Sequence, residues 1–303
     1  MRINFKIIAL VVSLNVYATP AIADVNVFAC EPEYAALATE IIGTNDDIYS
    51  ATTALQDPHF VQARPSLISK MRRADIAICA GAELETGWLP MLQMKSNNRD
   101  VKNGGKGMFY AADYIDNLDI PVKVDRSMGD VHTQGNPHVH LDPHRVLKLA
   151  KALTDKLVEL DAENGQKYQQ NFSSFESKWQ QAIKDWQKKA EPLKGKKVIA
   201  YHSSFRYLMD FLQMQQVADL EPKPGMPPTT SHLNGLVEAA KSNKVSAIIY
   251  TGYQDSKGAE WLSSKTGIAA LQLPYTVGGN EQSVDLFSLM DSHIDLLLKA
   301  VKG

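Results

Sequence analysis

Residues 135–143 read GNPHVHLDP and place His138 and His140 in a proline-constrained run just before a helix, with His132 and His144 beside them. Four of the chain's eight histidines lie within these thirteen residues, 132–144. Neutral imidazole is the commonest nitrogen ligand for zinc, and a ligand on stiff backbone loses little entropy on binding. Two further histidines share the setting of His138: His59 in QDPHF and His202 in AYHSSF, each in a loop that leaves a strand or opens a helix. Asp57-Pro58-His59 and Asn136-Pro137-His138 repeat one pattern, in which Pro fixes φ and the short polar residue bonds nearby backbone. Three imidazoles and one further donor make the ligand count of a tetrahedral zinc site.

Those loops need strands and helices to hold them, and the chain alternates the two. Apolar runs at 25–29 and 75–80 read as strands, with a helix over 66–73 between them. Pro143 opens a helix whose stripe is Val146, Leu149, Leu153, Leu157 and Leu160. Asp161 is placed to cap a longer helix with Tyr168, Phe172, Phe175, Trp179, Ile183 and Trp186 on one face. An aromatic stripe this regular is a packing face, and a helix of about 27 residues spans roughly 40 Å. The second half repeats the alternation, with strands at 197–201, 245–250 and 269–273. Helices fall at 205–212, 231–243, 256–265 and 284–301. Such an alternation predicts mainly parallel sheets in an α/β fold. In open sheets of this kind ligands bind beyond the carboxyl ends of the strands, where the three histidine loops would converge. The proline-rich stretch 221–228, EPKPGMPP, reads as a rigid surface turn. Glu83 and Glu85 read as solvated charges at a turn, and His144 and His293 as structural histidines.

Composition narrows the function. Arg2 and Lys6, an apolar core over 7–16 and Ala21-Ile22-Ala23 form the three parts of a cleavable signal over 1–23. No later apolar run is long enough to span a bilayer, so direct membrane insertion after signal removal is not expected. A net charge of −2 argues against a nucleic-acid partner. Cys30 and Cys79 each end a strand-like run, so they can sit side by side in one sheet. An exported protein favours a disulfide between them, with two buried free thiols as the alternative.

DPHFVQARPS, GNPHVHLDP, YHSSFRYL and ADIAICAGAELETGWL together resemble the zinc-binding members of the metal-binding solute-binding proteins of bacterial ABC transporters. The resemblance covers essentially the whole chain after residue 23. It implies two α/β lobes joined by one rigid backbone helix, with the metal in the cleft between them. The N-terminal lobe then covers 24–162, the linking helix 163–192 and the C-terminal lobe 193–303. It also implies that His59, His138 and His202 are the three imidazole ligands. Manganese-type relatives carry Glu where His202 stands, and imidazole favours zinc where hard carboxylate oxygens favour manganese.

The chain departs from the family at the fourth ligand, where LQLPYTVGG has Pro274 or Tyr275 in place of an Asp. The fourth donor is then open among water, His132, His232 and Asp255. His140 replaces an aromatic residue usual in the family, and it is a further candidate. The implied function is a monomeric periplasmic receptor that captures Zn(II) and hands it to the membrane permease of a zinc ABC transporter. A secreted zinc hydrolase and a periplasmic zinc chaperone or buffer are the alternatives. The hydrolase lacks an HExxH motif, and no carboxylate has motif spacing to the histidines.

Overall fold

The computed structural model describes residues 25–44, 47–125 and 128–302. The signal expected over 1–23 lies outside the described residues. Strands β1 (Val27–Ala29), β2 (Ile48–Ser50), β3 (Ile76–Cys79) and β4 (Met108–Tyr110) form a parallel sheet in the order β2-β1-β3-β4. Strands β5 (Lys197–Ala200), β6 (Gln215–Asp219), β7 (Ala247–Thr251) and β8 (Ala270–Leu273) form a second parallel sheet in the order β6-β5-β7-β8. The chain thus builds one topology twice, and the alternation read from the sequence is the reason.

Period-2 alternation divides the first sheet between two cores. Val27, Ala29, Ile76 and Ile78 face the large central core, while Phe28, Cys30, Ala77 and Cys79 face the outer one. Adjacent positions on the same face bring Cys30 and Cys79 together, and they form a disulfide with Cα atoms 4.8 Å apart.

Helices α1 (Pro32–Ile42), α2 (Pro65–Arg73), α3 (Leu89–Ser96) and α4 (Pro143–Leu160) belong to the first half. The long helix α5 (Gly165–Lys189) follows, then α6 (Arg206–Phe211), α7 (Thr230–Asn243), α8 (Lys257–Thr266) and α9 (Leu286–Lys302). Every residue of the aromatic stripe on α5 is buried. Together with α1, α4 and α9 it joins the inner faces of both sheets into one apolar core. Three polar bonds fix its pitch: Trp179 Nε1 donates to the Pro143 carbonyl at 2.8 Å, Trp186 Nε1 to Asp291 at 3.0 Å, and Asn171 to the Ile41 carbonyl at 2.9 Å.

The helix is shorter than its sequence implies. Asp161 caps a single tight turn, Ala162–Asn164, and α5 proper has 25 residues, or about 38 Å. At the other end Pro192 lies in a further tight turn, Glu191–Leu193, rather than in the helix. Two other helix starts also differ. Pro65 rather than Ser66 is the first residue of α2, and α7 begins at Thr230, one residue before the expected 231, behind a cap by the Thr229 hydroxyl. The Thr229 hydroxyl accepts the His232 N–H, whereas α2 starts on the fixed φ of proline with no side-chain cap.

Candidate metal site

The repeated pattern of short polar residue, Pro and His has one geometric meaning here. The Asp57 carboxylate accepts the His59 backbone N–H at 3.0 Å, and the Asn136 amide oxygen accepts that of His138 at 3.0 Å. A third copy, Asp142-Pro143-His144, makes the same turn at 2.8 Å and caps α4, but its histidine faces Gln187 and Phe211 instead. His59 lies in the loop between β2 and α2, His138 follows β4, and His202 leaves β5 directly. All three loops emerge at the carboxyl ends of strands, one set from each sheet. The sheets converge on a single point.

There, one ligand atom each from His59, His138 and His202 lie within 4.8 Å of one another. Their ring centroids stand 5.7, 5.8 and 5.6 Å apart pairwise. A metal bound at Nε2 requires the imidazole proton on Nδ1, and each Nδ1 has an oxygen to receive it. His59 Nδ1 lies 2.7 Å from Asp57, His138 Nδ1 2.7 Å from the Tyr275 hydroxyl, and His202 Nδ1 2.9 Å from Glu221. The Nε2 atoms of His138 and His202 are buried without a partner. Partners of this kind fix the tautomer and ring orientation and raise ligand basicity.

Electrostatics agree with that protonation. Burial, followed by the charges His202 and His59 would carry, holds His138 well below the ordinary histidine range. It is therefore neutral and ready to ligate at neutral pH. Burial by itself raises the Asp57 carboxyl, but its bonds to His59 outweigh this and lower it. A cavity of about 240 Å³ opens against His59 and His202, and Asp57, Asp130, Glu221 and Asp255 line it. Four carboxylates around one mouth attract cations.

The other candidate histidines go to different places. His140 is not available, because its Nδ1 lies 3.0 Å from the Glu33 carboxylate and its Nε2 2.9 Å from the Tyr275 carbonyl. Thr276 donates to the other Glu33 oxygen at 2.5 Å, so His140 and Glu33 pin the loop after β8 against α1. His232 Nε2 faces the Asp219 carbonyl at 2.9 Å, a packing role beside β6. Asp255 stays in the cavity wall, where it pairs with Lys257 at 3.3 Å. His293 is buried with Nε2 on the Pro274 carbonyl at 2.6 Å, as a structural histidine should be. His132 does reach the cluster, with its Nε2 3.3 Å from that of His59.

Three readings from the sequence need correction. Glu85 is buried rather than solvated, its carboxylate accepting the Ala80 and Gly81 N–H groups at 2.6 and 3.2 Å. Glu83 is half-buried and accepts both the backbone N–H and the hydroxyl of Thr133, at 2.6 and 2.7 Å. The stretch 221–228 is more than a surface turn, since Glu221 at its start orients His202. Tyr275, which stands in the place of an expected acid, serves His138 through its hydroxyl. No spacing rule marks Glu221 or Tyr275, because partners of ligands come from whichever loop the fold brings near.

A chain with two like α/β lobes and imidazoles meeting between them has the form of a solute-binding protein for a metal ion. The model of the family described as zinc-uptake complex component A, periplasmic (ZnuA), matches residues 27–300. The chain belongs to that family. It is 23% identical over 265 residues to the high-affinity zinc uptake system protein ZnuA of Bacillus subtilis (strain 168), covering 85% of this chain and 82% of the relative. It is also 23% identical over 232 residues to the zinc-binding lipoprotein AdcA of Streptococcus pneumoniae (strain ATCC BAA-255 / R6), covering 76% of this chain but only 45% of AdcA. Among solved structures, a crystal structure of ZnuA superposes with a TM-score of 0.76 at 20% identity, covering 92% of this chain and 99% of that one. The solute-binding protein FpvC from Pseudomonas aeruginosa in complex with Mn²⁺ gives 0.78 at 18% identity, with the same coverage. Among the described residues, no helix is long and apolar enough to cross a membrane.

Proposed function

We propose that the protein captures Zn(II) between its two lobes in the periplasm and delivers it to the permease of an ABC importer. The observation that carries this is the set of three imidazoles whose Nδ1 atoms are each committed to an oxygen, leaving three Nε2 lone pairs for one ion. Nitrogen donors suit zinc better than manganese, whose hard cation prefers carboxylate oxygen. The lobes of the proposal are residues 24–162 and 193–303, with 163–192 linking them and residues 1–23 removed on export. Likeness to zinc uptake proteins supports the metal and the import role together.

A hydrolase would need a general base beside a metal-bound water. The two carboxylates nearest the histidines, Asp57 and Glu221, are both occupied at histidine Nδ1 atoms. Metal analysis of protein purified without chelator, followed by competition titration, tests the reading. His59→Ala, His138→Ala and His202→Ala should each lower zinc affinity at least about a hundredfold, by losing one of three nitrogen donors, with the fold intact by circular dichroism. His202→Glu should cost zinc more than manganese. Unchanged zinc affinity in any of the three Ala variants would remove that residue from the site.

A further inference from the structure

The three histidines leave a tetrahedral ion one donor short, and the family's acid is absent. We propose that His132 is the fourth zinc ligand, held in place by the turn at Gly81, Ala82 and Glu83. The inference rests on the three-histidine reading above and adds a closed coordination shell to it.

Geometry supplies the first argument. A tetrahedral zinc with Zn–N bonds of 2.0–2.1 Å has nitrogen–nitrogen edges of about 3.3 Å. His132 Nε2 and His59 Nε2 stand 3.3 Å apart. With its Nδ1 proton given to Asp57, His59 turns an Nε2 lone pair toward His132. The ring of His132 in turn bonds the backbone carbonyl of Ala82. The His132 ring is stacked on that of His59 with centroids 5.4 Å apart, and stands 6.5 Å from that of His138. It enters the cluster from the His59 side.

The backbone supplies the second argument. Gly81, Ala82 and Glu83 have φ of 75, 45 and 71°, three left-handed residues in succession of which two carry side chains. L residues avoid this region, and runs of them persist where the surroundings hold them. The two with side chains hold something here. Ala82 offers its carbonyl to His132, and the Glu83 carboxylate grips Thr133 through both N–H and hydroxyl. On the opposite side Asp130 N–H donates to the Pro224 carbonyl at 3.1 Å. That contact ties the same segment to the loop whose Glu221 orients His202. His132 is thus fixed from both lobes, which a solvated loop residue would not need.

Zinc K-edge absorption of the zinc-loaded full chain should show four nitrogen ligands, and His132→Ala should show three with one oxygen from water. The Co²⁺ complex should report the same exchange in its visible spectrum. Zinc affinity of His132→Ala should fall about 10- to 100-fold, the scale on which single changes around a metal act. Glu83→Ala should weaken zinc about tenfold in the wild-type background and not at all in a His132→Ala background, since a positioning residue acts only through the ligand it positions. An unchanged first shell and affinity in His132→Ala overturn the proposal, and if His59→Ala still abolishes binding the three-histidine reading survives. Equal losses from Glu83→Ala in both backgrounds reject the role assigned to the turn.

Discussion

At the scale of single residues, the site is a set of matched pairs, and one of the pairs has an unusual member. Carboxylates hold the Nδ1 atoms of His59 and His202, but a phenol holds that of His138. Burial, then the charge of Glu33, raises the Tyr275 hydroxyl well above its ordinary range, so it stays a neutral partner. Tyr275→Phe removes that oxygen and leaves the His138 tautomer unspecified. Zinc affinity should then fall about 10- to 100-fold with unchanged stoichiometry; equal affinities in a competition titration would show that the hydroxyl does not matter. The three clustered histidines were legible because histidine is a rare residue with few uses and local motifs surround it. Tyr275 was not, since a tyrosine near a strand end reads as packing. Glu85 was misread because a carboxylate after a glycine looks solvated until the sheet above it is known.

Glu85 leads to a second residue-scale expectation. It lies near Glu31, which is likewise buried. Burial first, then the charges of Glu85 and Glu33, raises Glu31, and burial raises Glu85 to about 7. An acid whose folded-state pKa is raised contributes fully below its unfolded value, near 4.5. It loses that contribution as pH climbs through the folded value. Stability should therefore decline between about pH 4.5 and 7 on account of this pair. Glu31→Gln keeps the shape of the buried side chain without a proton to lose. Its melting temperature should exceed that of wild type at about pH 8 and match it near pH 4.5. A variant less stable than wild type at the higher pH would contradict this assignment.

At the scale of elements, what could be read ahead was what is long and periodic. The stripe on α5 named its six buried residues in advance because only a helix sustains a 3.6-residue period over about five turns. Strands β2 and β4, three residues each, carry no such repeat and were not expected. Their existence follows from the pairing offered by β1 and β3 rather than from their own composition. The same reasoning makes α5 the element on which both lobes depend. Trp179 is 1% exposed, stacks on Phe175, meets Phe287 edge-to-face, and bonds the first carbonyl of α4. Trp179→Ala should cost about 3–5 kcal/mol and roughly 10 °C in melting temperature. Because one core spans both sheets, a single thermal transition should move. A split in which only one lobe's transition shifts would show that the lobes fold apart.

At the scale of the whole molecule, the duplicated strand order explains why a site exists at all. Loops at the carboxyl ends of strands in both sheets reach one histidine cluster, and α5 with α1, α4 and α9 packs the inner faces of both sheets into one core. The rigid part of the device is therefore the central core, and the disulfide lies away from it, on the outer face of the first sheet. Its contribution should be to stability and not to metal binding. Closing a loop of 49 residues removes chain entropy from the unfolded state worth about 4 kcal/mol. The folded geometry of the histidines owes nothing directly to it, because Cys30 and Cys79 join β1 to β3 while His59 follows β2 and His202 lies on the second sheet. From the His59 loop Thr52 donates its hydroxyl to the Cys30 carbonyl at 2.9 Å, and an alanine at 30 keeps that carbonyl. The Cys30→Ala, Cys79→Ala double variant should lower unfolding stability in urea by a few kcal/mol, up to about 4. Zinc affinity measured at a temperature where the variant is fully folded should stay within about threefold of wild type, a shift of about 0.7 kcal/mol. A tenfold or larger loss of affinity in folded protein would mean that the bridge sets the ligand geometry, and that the first sheet yields where the fold suggests it is stiff.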